Sequence, residues 1–115
     1  MICEAPRWDV WIKVHLRLAQ SRAMSYGSPW GIYFNSTTTY YLFQGIGSTT
    51  PVPIINEKSS TVDLTAKKSA LTITPPAATG GSVTFDAFGS PGAANITVGT
   101  NGADIIVTKN TGFIP

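Results

Sequence analysis

His15 is the only histidine in the chain and the only side chain with the ordinary pKa of a ready general base. It has no cysteine or acid at a metal-ligand spacing, so its expected role is a packed or interface imidazole. Asp63, Asp86 and Asp104 are the acids whose type suits a carboxylate pair or calcium ligation. Each falls singly in or near a strand or turn, and no D-x-D-x-D-G run occurs. They are expected to be turn and solvent-facing acids. There is no G-x-S-x-G, P-loop, G-x-G-x-x-G or H-E-x-x-H pattern. "GIGSTT" has two glycines but lacks the following helix that would cradle a phosphate. Serines are plentiful, yet a serine nucleophile needs a base, and the one histidine lies on the N-terminal helix. Cys3 is the only cysteine, which excludes an intrachain disulfide and a cysteine-based zinc site. The sequence therefore reads as no enzyme, with no catalytic, cofactor-binding or metal-binding residues and no cofactor. The triplets at Asn35 and Asn95 match the glycosylation sequon, a match that arises often by chance in a threonine-rich chain.

The elements around these groups follow from the pattern. Residues 8–25, "WDVWIKVHLRLAQSRAMS", read as an amphipathic helix inside a 7–26 segment. Asp9, Lys13, Arg17 and Gln20 share one polar stripe at the helical period. Trp8, Trp11, Ile12, Leu16, Leu18, Ala19 and Ala23 cover most of the remainder, an apolar face broad enough to want partners on two sides. Pro6 precedes the helix, Asp9 and Lys13 form a favourable i,i+4 pair, and "YGSP" ends it.

From residue 30 to 115 the pattern is β. "WGIYFN" and "TYYLFQG" flank the turn "NSTT" as a hairpin. "GIGSTTPVP" is a loop. "STVDLTA" and "ALTITPP" alternate with period two on either side of "KKS", where Lys67 and Lys68 mark a solvated turn. "VTFDAF", "NITVG" and "ADIIVTK" complete about seven short strands. Without βαβ alternation the sheets should be antiparallel. The expected fold is α+β: one N-terminal helix packed on antiparallel β-sheets, in a single domain spanning 1–115. Trp30, Tyr33, Phe34, Tyr40, Tyr41 and Phe43 cluster in the first hairpin, with most of them expected in the core.

The chain has 12% charged residues, about half the usual share, and a net charge of +2, too small to imply a nucleic-acid partner. No apolar run approaches the roughly 18 residues of a membrane span, and none resembles the apolar core of a signal peptide. The composition suits an extracytoplasmic β-rich domain.

Several stretches, in this order, resemble the GspH/FimT family of minor pseudopilins of type II secretion and minor pilins of type IV pili. "AQSRAMSYG" is similar to the family's helix end, and "GIYF" with "YYLF" to its first hairpin. "VTFDAFGSP" resembles its Phe-x-x-x-Gly strand and turn, and "IIVTKNTGFI" its closing strand with Thr-Gly. The likeness runs from about Leu16 to Ile114. It implies a pilin-like globular domain that works by assembly with other pilin or pseudopilin subunits, at the bacterial inner membrane and periplasm or in a cell-surface filament. The family's processing site and long apolar helix do not appear here. The resemblance thus implies either a fragment or a split subunit whose hydrophobic helix is a separate pilin chain. Some FimT-like pilins bind DNA through a basic tail; "KNTGFIP" has one lysine and no arginine, so no nucleic acid is expected.

The assembly contacts expected from the helix, after the core has taken its share, are Trp8, Trp11, Ile12, Leu16, Leu18 and Ala19. The competing expectation is a freestanding β-sandwich adhesin or carbohydrate-binding module, stacking sugars on exposed aromatics of the 30–43 hairpin.

Overall fold

Ile12, Leu16, Ala19 and Ala23 recur at i, i+4, i+7 and i+11, the spacing that lines up one face of a helix. In the computed structural model, which describes residues 8–45, 51–52, 54, 61–66 and 70–115, they form the fully buried side of helix α1, Trp8–Tyr26. The helix ends in a Schellman motif: Gly27 takes a left-handed φ of 63° and the Ser28 amide donates to the Ala23 carbonyl at 3.2 Å. Tyr26 and Gly27 thus turn the chain sharply into the first strand.

Among the described residues seven strands follow: β1 Trp30–Tyr33, β2 Thr39–Gln44, β3 Thr61–Asp63, β4 Ile73–Thr74, β5 Ser82–Phe85, β6 Ile96–Thr100 and β7 Ile105–Val107. A short 3-10 turn, Ala77–Thr79, precedes β5. They form a four-stranded sheet ordered β3-β2-β1-β5 and a three-stranded sheet ordered β4-β6-β7, and every pairing is antiparallel. This is the α+β arrangement of one helix on antiparallel sheets that the sequence implies.

The first hairpin pairs Trp30 with Gln44 and Tyr33 with Tyr41. One face of the first sheet carries Trp30, Ile32, Tyr40, Leu42, Val62, Val83 and Phe85 against α1, which lies along β1 and is flanked by β5 and β2. The second sheet adds Ile73, Ile96, Val98, Ile105 and Val107 to the same core. Over Ile96–Val98 of β6 and throughout β7 burial alternates, as expected for strands with one face on a core.

The sequence reading puts β3 and β4 on either side of the turn "KKS" without saying which strands they pair with. They belong to different sheets. The seam between the sheets is the loop of the first hairpin: the Thr38 carbonyl accepts from Leu64 at 2.8 Å and the Thr37 carbonyl from Ile73 at 2.7 Å. Lys67 and Lys68, much of the 45–53 loop, Pro6 and the Asp9 side chain of the expected Asp9–Lys13 pair lie outside the described residues.

Candidate assembly surface

Helix α1 is spent on the core along one side only. Ile12, Leu16 and Ala19, three of the expected contact residues, have no exposed surface, so the core takes them and no partner can reach them. Leu18 is half-buried at the edge of the core. The Trp8 side chain lies outside the described residues. Trp11 is 46% exposed, and it is joined by Val10 and Val14, which are 44% and 41% exposed. At 100° per residue, Val10, Val14, Leu18 and Trp11 fall within one quadrant or so of the helix, turned away from the buried stripe. Val10 and Val14 escaped the sequence reading, although they interrupt what a solvated helix would fill with polar residues.

The polar stripe has a use that spacing does not reveal. Arg17 donates through its guanidinium to the Ile114 carbonyl at 2.8 Å. Gln20 donates through Nε2 to the carbonyls of Gly89, Thr111 and Gly112 at 3.0, 3.3 and 3.2 Å. The stripe therefore ties the helix to the Asp86–Ser90 turn and to the closing segment rather than simply facing water. Both turns need glycine. Gly89 and Gly112 have φ of 79° and 71°, and both are buried. A Cβ on Gly112 would collide with the Gly89 carbonyl and the Gln20 amide; a Cβ on Gly89 would lie 3.0 Å from the Met24 sulfur. The stretches "AQSRAM", "FDAFG" and "NTGFI", far apart in sequence, thus meet at one junction. Around it Met24, Phe88 and Phe113 are exposed at 51%, 88% and 64%, a second apolar area at the opposite end of α1 from Trp11.

The remaining candidates bond within the fold. His15 is buried, with Nδ1 2.6 Å from the Tyr40 hydroxyl and its ring against Trp11 and Tyr40. Asp63 accepts from the amides of Thr65 and Ala66, Asp86 from those of Phe88 and Ser90, and Asp104 from that of Thr100. Each acid closes its own turn. Among the described residues no group of His, Cys, Asp or Glu is arranged to hold a metal ion. A cleft of about 290 Å³ is lined by Pro29, Thr84, Asp86, Ser90, Pro91 and Gly92.

The first hairpin buries its aromatics on both faces. Trp30, Phe34 and Tyr40 enter the core; Tyr41 and Phe43 are buried on the other face, where the Phe43 ring covers Gly31. Tyr33, half-buried, stacks edge-on against Tyr41 with ring centroids 5.4 Å apart. Burial pushes the Tyr41 phenol above its usual pKa, and the neighbouring Tyr33 adds to the shift. No exposed aromatic row is left on this hairpin for stacking a sugar.

Among the described residues no helix is long and apolar enough to cross a membrane. A family model described as type II transport protein GspH matches residues 12–112, most of the chain. No curated protein and no solved structure gives a significant match.

Proposed function

This chain belongs to the GspH family of type II transport proteins, and on that premise we propose that it is a structural subunit of a type II secretion pseudopilus that works by assembly rather than catalysis. Its partners are other pseudopilin subunits, and its place is the periplasmic side of the bacterial envelope. The related reading as a type IV pilus subunit uses the same surface.

The observation that carries the proposal is the exposed strip of Val10, Trp11 and Val14 on a helix whose opposite side is wholly engaged in the core. Fully burying a large apolar side chain contributes about 1.5–3 kcal/mol. These three are already partly covered, so completing their burial is worth roughly 3 kcal/mol in all. Association entropy exceeds that for an isolated pair of molecules. The strip therefore suits a contact repeated along a filament, where neighbouring contacts share the ordering cost. The hairpin aromatics support this reading over the freestanding sugar-binding module, since they are used inside the fold.

The test is a double substitution, Trp11→Asp with Val14→Asp, made in the native gene. Val14 is a surface position that should lose about 0.5 kcal/mol, whereas Trp11, over half covered and packed against His15, should lose roughly 1–2 kcal/mol, which leaves the domain folded. Crosslinking into the pseudopilus, and secretion by the complemented strain, should be lost. Normal crosslinking by the stably folded variant would refute the proposal.

A further inference from the structure

Asn101-Gly102 is the only Asn-Gly pair in the chain, and it lies in the exposed turn between β6 and β7. Such a pair is chemically labile, because glycine has no Cβ to hinder attack by its own backbone nitrogen. That nitrogen, losing its proton, bonds to the asparagine Cγ; the bond from Cγ to the side-chain nitrogen breaks and ammonia leaves. Water then opens the cyclic imide to aspartate or isoaspartate. No reactant other than water is needed.

In this fold both reacting groups are held. Asn101 Oδ1 accepts from the Thr72 amide at 3.0 Å, and Nδ2 donates to the Ala70 carbonyl at 3.1 Å. The Asn101 amide donates to the Thr72 carbonyl at 3.2 Å. The side chain is thus drawn across to residues 70–72, away from the following nitrogen of its own backbone. That nitrogen is itself engaged: the Gly102 amide donates to Thr100 Oγ1 at 3.0 Å.

We propose that Asn101 is a latent deamidation site, kept closed by the native turn, whose conversion unfastens the segment leading into β4. The reaction replaces the Nδ2 donor by an oxygen facing the Ala70 carbonyl, so two acceptors meet with no proton between them. In the isoaspartyl product an extra backbone methylene also displaces the chain beside the β4–β6 pairs Ile73–Thr100 and Thr74–Gly99. β4 is only two residues long, so the Asn101 bonds to residues 70–72 add to its hold beside the burial of Ile73 and the bond from the Ile73 amide to the Thr37 carbonyl.

The experiment incubates the full chain at mildly alkaline pH, folded in buffer or unfolded in urea, and follows the Asn, Asp and isoAsp forms of position 101 by peptide mapping. The unfolded chain should convert at least about tenfold faster, because reaction in the folded chain must wait for local opening. Thr100→Ala, which frees the Gly102 amide, should move the folded rate toward the unfolded one. Equal rates with and without urea, or a folded rate untouched by Thr100→Ala, would overturn the protection. Separately, Asn101→Asp should speed amide hydrogen exchange across residues 70–74 while leaving the α1 amides as slow as before. Unchanged exchange in 70–74 would overturn the fastening.

Discussion

Gly112→Ala should cost about 4 kcal/mol of folding stability, the largest loss expected from so small a change in this protein. Three effects act together. The left-handed backbone at φ 71° penalises any Cβ by roughly 1–2 kcal/mol. The added methyl meets the Gly89 carbonyl, which is backbone and cannot rotate away. It also meets the Gln20 amide, whose displacement puts at risk the three hydrogen bonds that anchor the helix to both turns. Gly27→Ala is the matched control: its φ is 63°, but nothing lies within 4 Å of the added atom, so it should lose only about 1 kcal/mol. Urea unfolding of both variants measures the difference. Equal losses would mean that the junction of helix, Gly89 turn and closing segment is not the close-packed contact described above.

Leu16→Asp should destabilise by about 4 kcal/mol or more, a large fraction of the total stability of a domain of this size. Leu16 has no exposed surface and lies between α1 and the first sheet, where an ionised carboxylate has no partner. Leu18→Asp is the informative comparison. The sequence reading puts Leu18 on the same broad apolar face as Leu16; the structure puts it at the margin of the core, where an aspartate can reach water. It should lose only about 1–2 kcal/mol. Thermal melts of the two variants therefore fix the rotation of α1 about its axis. A Leu18 effect as large as that of Leu16 would rotate the buried stripe away from the Ile12–Leu16–Ala19–Ala23 line.

The contrast between Leu16 and Leu18 illustrates what the sequence makes legible. Periodicity marks the helix within a residue or two, because the "YGSP" stop is local chemistry and the Gly27 cap is its direct expression. The strands are legible for the same reason: β5, β6 and β7 alternate, and their turns carry Gly, Asn and Asp. Partner choice is not local. Nothing in "LTA" or "ALT" says that β3 and β4 enter different sheets; that depends on the carbonyls of Thr37 and Thr38, each taking an amide from one of the two segments.

The polar stripe shows the same limit in side-chain terms. Arg17 and Gln20 look solvated on a helical wheel because the wheel cannot show that residues 89 and 111–114 return to them. The contact surface was only partly legible. Trp11 stood out by type, whereas Ile12, Leu16 and Ala19 were indistinguishable from contact residues until the sheet was placed against them. Val10 and Val14 were visible in the sequence, and the missing signal was their position on the wheel opposite the buried stripe. The pairs of carboxylates that a hydrolase would need are also resolved only by geometry, since Asp63, Asp86 and Asp104 each bond back to their own turn.

The central claim is that the outward strip of α1 is covered by neighbouring subunits in the assembled state. Trp11 reports on it directly. With Trp8→Phe and Trp30→Phe, Trp11 is the only remaining indole, and acrylamide quenching of its fluorescence measures its access to solvent. In the isolated chain, where the ring is 46% exposed, quenching should be efficient. In purified pseudopili containing the same variant it should fall severalfold, as the ring is buried at the subunit contact. Equal quenching in the two states would contradict the account, because the strip would then face solvent in the filament and assembly would have to proceed through another surface.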